Sequence, residues 1–356
     1  MKKLIGALAL AAMAAAMALP ASAQNATLDV YSGRGQTADE AFYADFVSTS
    51  SIEVNRTENT GAATLEALRN EGADSPADVV LLDGIALLAQ AEAEGLLQPL
   101  RSDALQDAVP AALRAAPDEQ GAIAWFGFAR NARIVVYQGE QVDAADVDSY
   151  QKLASERNRG KLCMAGAHTP ANLGLIAALI EHEDSASARR WLSGVKANLA
   201  RAPEGSDTDQ IRAVFAGTCK MALVGQAELA RLMQSDVRSD RDAARALAVS
   251  FPNQGSWGTH VDVSGAALAR HAKHPAQARE FLNYLASSQG QNLFANRNND
   301  WPVVRKFKFD NAELKAMLGS HGGFKADATP LSTIARQLGA ARRMAEQIGF
   351  DQAPAR

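Results

Sequence analysis

Short apolar runs alternate with longer amphipathic segments along this chain. Runs typical of β-strands lie at residues 26–31, around 51–56, at 77–82 and at 132–137, and a long strand with a Pro/Gly-rich interruption is predicted over roughly 246–263. Segments with apolar positions three or four residues apart separate them, which is typical of amphipathic helices. This alternation predicts an α/β fold with doubly wound sheets, in which ligands bind at the carboxyl ends of strands.

The first 23 residues have the features of a secretory signal peptide. Lys2 and Lys3 precede a long apolar, Ala-rich stretch, and Pro20 stands just before a small-residue A-x-A site at residues 21–23. An N-terminal membrane anchor is the alternative, and the proline beside the cleavage site argues against it. We expect cleavage before Gln24 and a soluble mature protein in the periplasm.

Charge and motif content exclude several classes of function. Removal of Lys2 and Lys3 leaves 34 basic and 40 acidic residues, a net charge of −6, without any run of like charge. Nucleic acid is therefore not expected as a partner. The G-x-S-x-G, H-E-x-x-H, P-loop and G-x-G-x-x-G motifs do not occur. We expect a binding protein rather than an enzyme.

Two cysteines, Cys163 and Cys219, each lie in or just before an apolar strand-like run. In an oxidising compartment they are expected to form one disulfide that joins two strands, and two buried free thiols are the alternative. The spacing does not suit a structural zinc site.

Six segments together resemble the periplasmic ferric-iron-binding proteins of ABC transporters, within the family 1 extracellular solute-binding proteins. They read DVYSGRG at 29–35, SPADVVLLDGIALL at 75–88, NARIVVY at 131–137, GKLCMAGAHTPANLGLIAALI at 160–180, GSDTDQIRAVFAGTCKMALVGQAELARL at 205–232 and GTHVDVSGAAL at 258–268. The resemblance covers nearly the whole mature chain.

The resemblance implies a two-lobe periplasmic-binding-protein clamshell of type II, with doubly wound sheets joined by hinge strands. The N-lobe would comprise residues 24–131 and 258–308, and the C-lobe residues 132–257 and 309–356. The lobes would close on a ligand in the cleft between them. A monomer that delivers its cargo to an inner-membrane ABC permease is implied, and the same fold also serves as a ligand sensor for a membrane receptor.

The expected iron ligands are missing from the matching positions. The family's adjacent tyrosine pair corresponds to Ala227 and Glu228, a further tyrosine corresponds to Ala171, and Gly35 and Gln36 stand where relatives have histidine or tyrosine. Two hypotheses follow. Either Fe(III) is bound by an altered ligand set with a synergistic anion, or the cargo is a small organic or phosphorylated anion without iron.

Asp83 and Glu228 are the candidate metal ligands. Asp83 follows an apolar strand at a position where some relatives carry a cleft carboxylate, and Glu228 replaces a tyrosine. Carboxylates suit a hard cation such as Fe(III). The alternatives are structural: Asp83 as the cap of a strand-to-helix turn, and Glu228 as a first-turn acid that favours the helix dipole.

Four further residues are candidate ligand contacts. Arg34 and Arg133 could clamp a carboxylate or phosphate, although an ion pair between the lobes is an equal alternative for Arg133. His168 and Asn172 flank a helix start at Pro170, where exposed amides bind anions. For His168 the alternative is a solvated loop, and for Asn172 it is a capping or surface role.

Overall fold

The computed structural model describes residues 26–304, 307–319 and 322–352. The predicted signal peptide and the predicted mature terminus at Gln24 lie outside these residues. Within them the chain is a mixed α/β protein, as the sequence predicts. The strands are β1 (Thr27–Ser32), β2 (Glu53–Glu58), β3 (Val79–Asp83), β4 (Leu97–Gln98), β5 (Phe126–Tyr137), β6 (Leu162–Met164), β7 (Met221–Gly225), β8 (Ala248–Ser250), β9 (Val261–Ala269) and β10 (Trp301–Pro302).

Helices surround these strands. They are α1 (Glu40–Ser50), α2 (Gly61–Glu71), α3 (Ile85–Ala93), α4 (Asp103–Ala108), α5 (Pro170–His182), α6 (Ser185–Asn198), α7 (Asp207–Phe215), α8 (Gln226–Met233), α9 (Arg238–Ala246), α10 (Pro275–Ala286), α11 (Ser288–Asn296), α12 (Ala312–Leu318), α13 (Leu331–Ala335) and α14 (Leu338–Ile348). In the part of the chain that the structure describes, no helix is long and apolar enough to cross a bilayer.

Seven of these strands follow one path, in the order β2-β1-β3-β9-β5-β7-β6, while β4 pairs with β9 beside it and β8 and β10 pair with β5. Parallel pairs lie at the two ends of the path, and β9 and β5 run antiparallel to their neighbours in the middle. Every residue of β9 is buried, as are the first four of β3. Such strands lie in a sheet that helices cover on both faces.

Strand β5 changes its partner along its length. Up to Ala132 it pairs with β9, and from Arg133 onwards it pairs with β7. The strand thus runs from one half of the sheet into the other, near the point where the sequence places the first crossing between lobes. The lobe boundaries themselves stay a prediction.

The strand predicted over roughly 246–263, with its Pro/Gly-rich interruption, is divided in the structure into two separate strands. The structure has two strands there, β8 and β9, joined by a turn-rich connection. Pro252 has no amide hydrogen to donate to a sheet ladder, so the pairing cannot continue through it.

The predicted disulfide is confirmed. Cys163 in β6 and Cys219, just before β7, are bonded, with Cα atoms 5.8 Å apart and a sequence separation of 56. The bond closes a loop that includes α5, α6 and α7, and so it restricts the unfolded chain.

Replacing both cysteines by alanine is expected to lower the free energy of unfolding by about 2–4 kcal/mol, because the unfolded chain regains the entropy of that loop. Urea unfolding of the two proteins, followed by circular dichroism, measures the difference. Reductant should shift the midpoint of the wild-type protein and leave that of the variant where it is. Equal midpoints for both proteins under oxidising conditions would contradict the prediction.

Candidate functional site

A polar cleft of about 430 Å³ opens where several helices begin. Its lining comes from the loops after β1 and β6, from the end of β3, from the middle of β5, from β9 and from the first turns of α5, α7 and α8. Ala165, Pro170 and Ala171 are its main apolar contributions, and none of the described residues that line it is aromatic. The cleft therefore suits a small hydrophilic ligand better than one that needs stacking.

Three helices start at the edge of this cleft. Gly84 precedes α3, Thr169 precedes α5 and Ser206 precedes α7, and all three residues line the cleft. The amide groups and the positive dipole end of each helix favour a nearby anion. Ser206 caps α7 in a capping box with Asp209, whereas the Thr169 side chain makes no capping bond to α5.

The structure places Asp83 and Glu228 in the same cleft lining. Asp83 is the last residue of β3 and accepts a hydrogen bond from the hydroxyl of Ser264. Glu228 lies in the first turn of α8, pairs with Arg231 and accepts a 3.3 Å hydrogen bond from Asn131 Nδ2. Both carboxylates are therefore held by neighbours while they line the cleft.

These carboxylates do not form a ready-made three-ligand metal site. Within the described ranges, the one group of three side chains with ligand atoms within 4.8 Å of one another is Asp29, Asp78 and His274, none of which lines the cleft. Asp78 already accepts hydrogen bonds from three backbone amides and from the His274 ring. A metal ion in the cleft would need further oxygen ligands.

Arg133 lines the cleft, but its guanidinium is engaged with the protein. It pairs with Asp207 and donates to Asn172 Oδ1 at 2.6 Å, and its side chain is 2% exposed. Asp207 Oδ2 also accepts from Gly225 N at 2.7 Å, and Asn172 Nδ2 donates at 3.0 Å to two carbonyls of the loop before α5. Arg133 thus ties β5 to the starts of α5, α7 and α8. Its ion pair lies within the predicted C-lobe, not between lobes.

Two of the predicted ligand contacts lie elsewhere. Arg34 is buried, pairs with Asp39 at 2.8 Å and with Asp300 at 3.5 Å, and does not line the cleft. His168 is 75% exposed and its Nδ1 contacts Asp351 Oδ2 at 2.7 Å, also away from the cleft lining. Of the six candidates, three line the cleft and Asn172 lies directly behind it.

The structure adds Asp262 to the cleft, a residue that the sequence analysis did not select. Its Oδ1 accepts from Ile85 N at 2.7 Å and from Val263 N at 2.8 Å, while its Oδ2 is buried without a partner. Burial raises the pKa of Asp262 to about 7; the two backbone amides oppose this rise and the nearby Asp83 adds to it. The signal in the sequence was a lone acid in an apolar strand, VDVSGAAL.

Gly84 lies where the start of α3 comes very close to Pro170 and Asp262. Its φ of 100° is unfavourable for other residues. A Cβ on it would lie 2.9 Å from Pro170 Cβ and 3.2 Å from Asp262 Oδ2. Only glycine therefore fits where the start of α3, the start of α5 and β9 meet.

None of the five tyrosines, all of which are described, lines the cleft. Tyr150, for example, is fully buried and donates from its hydroxyl to the carbonyl of Arg133 at 2.7 Å. Tyr31 and Tyr284 hydrogen-bond to Glu71 and Asp45. The protein side of the cleft thus offers carboxylate oxygens and no phenolate.

Comparisons with known proteins agree with this architecture. The family model described as "Bacterial extracellular solute-binding protein" matches residues 38–316. This chain belongs to that family of solute-binding proteins.

Several of the similar proteins within this family are named for iron uptake or ferric iron binding. The chain is 36% identical to iron uptake protein A2 of Synechocystis sp., over 93% of this chain and 92% of the relative. It is 34% identical to the Trichodesmium protein FutA, solved in complex with iron and citrate, with a TM-score of 0.83 over 91% of this chain and 99% of that one. A ferric binding protein from Campylobacter jejuni gives 31% identity and a TM-score of 0.84, over 90% and 99% of the two chains. The predicted type II two-lobe clamshell and the family resemblance are confirmed.

Proposed function

We propose that this chain is the solute-binding component of an ABC importer, and that its cargo is ferric iron held together with a small carboxylate anion. The observation that carries the proposal is that Asp83 and Glu228, from distant parts of the chain, line one polar cleft. Ferric iron is a hard cation, for which anionic oxygen is a suitable ligand. The relatives named for iron uptake, and the one solved with iron and citrate, support the same cargo.

An anion is part of the proposed cargo because two carboxylates do not complete the coordination of an iron ion. The cleft volume of about 430 Å³ leaves ample room for a chelating molecule beside the metal. The starts of α3, α5 and α7 favour negative charge in the same place. Iron would thus contact Asp83 and Glu228, and the anion would contact the start of α5, whose first turn has no side-chain cap.

A second candidate is a small organic or phosphorylated anion without iron. The absence of tyrosine from the cleft lining favours it, because phenolate is the ligand that the family resemblance implies for iron. The two candidates use the same helix starts and differ in their need for Asp83 and Glu228. Removing those carboxylates therefore separates them.

The export route belongs to the same proposal. Residues 1–23 would be removed and the mature chain, from Gln24, would act in the periplasm and pass its cargo to a membrane permease. Lobes formed by residues 24–131 with 258–308, and by 132–257 with 309–356, would close on the cargo. Membership in a family of extracellular solute-binding proteins supports this.

The test is a titration of the mature protein with Fe(III)-citrate, with metal-free citrate and with inorganic phosphate, followed by calorimetry. We expect Fe(III)-citrate to bind much more tightly than citrate alone. Glu228→Gln and Asp83→Asn should each weaken the binding of Fe(III)-citrate by about 10- to 100-fold. Each variant removes the negative charge of one ligand and leaves the shape of the side chain nearly unchanged.

Glu156→Gln is the matched control, since this glutamate side chain is 93% exposed and remote from the cleft lining. It should leave the affinity unchanged. Iron would be rejected as the cargo if citrate bound equally tightly with and without iron and Glu228→Gln left that affinity unchanged. This result would favour the second candidate, an anion without iron. No binding of any of the three probes would reject both.

A further inference from the structure

The loop at residues 165–169, which joins β6 to α5, is held from two sides. On the inner side Asn172 Nδ2 donates to the carbonyls of Ala165 and Gly166. On the outer side Asp351 Oδ1 accepts from Ala167 N at 2.7 Å, and Asp351 Oδ2 contacts His168 Nδ1 at 2.7 Å. We propose that Asp351 is a positioning residue for cargo capture, acting through this loop; its effect on affinity rests on the proposed function above.

The loop matters because its two ends line the cleft. Ala165 and Thr169 are lining residues, and Pro170 after them begins α5. The first turn of α5 lacks a side-chain cap, so its amides remain available to an anion. A shift of the loop would move these amides relative to Asp83 and Glu228. Asp351 therefore influences the cleft without touching the cargo.

Asp351 is well placed to hold the loop because the segment before it is firmly anchored. Lys196 Nζ donates to the carbonyls of Ile348 at 2.9 Å and of Gly349 at 2.7 Å, at the end of α14. The next residue, Phe350, is fully buried. We call the contacts of Asp351 with Ala167 and His168 the C-terminal clasp.

Gly166 is an independent sign that this close approach is built into the loop. A Cβ on Gly166 would lie 2.5 Å from His168 Cε1 and 3.0 Å from Asp351 Oδ1. Any side chain at this position would therefore push His168 and Asp351 apart. The clasp also gives the exposed His168 a role in the loop rather than in the cargo site.

The experiment compares the mature wild-type protein with Asp351→Ala by amide hydrogen exchange and by titration with Fe(III)-citrate. We expect the Ala167 amide to exchange about tenfold faster in the variant, because it loses the acceptor that it has among the described residues, and the cargo affinity to fall about tenfold. Asp351→Asn keeps an oxygen acceptor for Ala167 and should restore most of the protection. Gly166→Ala should reproduce the effect of Asp351→Ala from the other side of the contact.

Asp184→Ala is the control for a purely structural loss. Asp184 caps α6 through a 2.7 Å bond from Ser187 N, so its removal should lower the melting temperature without changing Ala167 exchange or cargo affinity. In a double-mutant cycle, the variant that combines His168→Ala with Asp351→Ala should bind Fe(III)-citrate no more weakly than Asp351→Ala alone. An additive loss would instead make His168 a direct cargo contact and overturn the proposal.

Two other results would overturn it. Unchanged Ala167 exchange in Asp351→Ala would show that the clasp does not hold the loop. Faster exchange with unchanged affinity would show that the loop does not position the cargo. If the wild-type protein does not bind Fe(III)-citrate, the proposed cargo is rejected, and the exchange data alone decide whether Asp351 holds the loop.

Discussion

Replacing Arg133 with methionine is expected to lower the free energy of unfolding by about 3–5 kcal/mol, the usual cost of breaking a buried ion pair by removing one partner. The variant leaves the Asp207 carboxylate, whose side chain is 16% exposed, without its cation. It also removes the donor to Asn172 Oδ1. Because these contacts hold the starts of three helices at the cleft, cargo affinity should fall as well. Urea unfolding at constant pH measures the stability change.

The double variant Arg133→Met/Asp207→Asn separates a buried charge from simple loss of packing. Removing both charges should recover much of the stability, since no uncompensated carboxylate remains. Arg238→Met is a matched surface control, because Arg238 is 87% exposed and 3.5 Å from its partner Asp242. It should have little effect. A loss of stability in Arg133→Met no larger than in Arg238→Met would show that the network does not hold the helix starts at the cleft.

Asp262→Asn is expected to make the protein more stable at pH 8 and to leave its stability near pH 4 almost unchanged. Burial raises the pKa of Asp262 to about 7, against about 3.9 in an unfolded chain. Between these values the folded protein holds a proton that the unfolded chain has released, so the free energy of unfolding falls as pH rises. At about 1.4 kcal/mol per pH unit, the gain in the variant approaches about 4 kcal/mol above pH 7.

The measurement is chemical unfolding of both proteins from pH 4 to pH 8, and the quantity of interest is the difference between them. Other buried groups also titrate in this range. Burial also raises the pKa of Asp300, to about 7, and lowers that of His260 to about 4, which acts in the opposite direction on stability. Both are present in wild type and variant, so their contributions cancel. A pH-independent difference would mean that Asp262 stays ionised throughout.

The sequence predicted the parts of the fold that depend on local pattern. Apolar runs located β1, β3 and the second half of β5, Pro170 marked the first residue of α5, and two cysteines in strand-like runs indicated the disulfide. These features depend on side-chain periodicity, proline geometry and cysteine chemistry, all of which act over a few residues. The family resemblance supplied the two-lobe arrangement that no local pattern contains.

The candidate site was predictable only in part, because side-chain partners come from distant segments. Arg34 was a candidate for clamping a ligand, yet its guanidinium is already paired with Asp39 and Asp300. Asp300 lies far along the chain from Arg34. Asp207 is the first residue of α7, and its pairing with Arg133 depends on how α7 meets β5. No rule of sequence spacing predicts such contacts between distant elements. Asp262, by contrast, was visible in the sequence as a single acidic residue in the apolar strand β9.

The continuity of β5 has a consequence for how this chain can diversify. Asn131 and Arg133 line the cleft at the same place where β5 changes from pairing with β9 to pairing with β7. A substitution there alters both the lining of the cleft and the strand that joins the two halves of the sheet. Under the proposed function, evolution toward a new cargo through these positions would also alter the connection between the two halves of the sheet, whereas a change at Asp83, at the end of β3, leaves β5 intact.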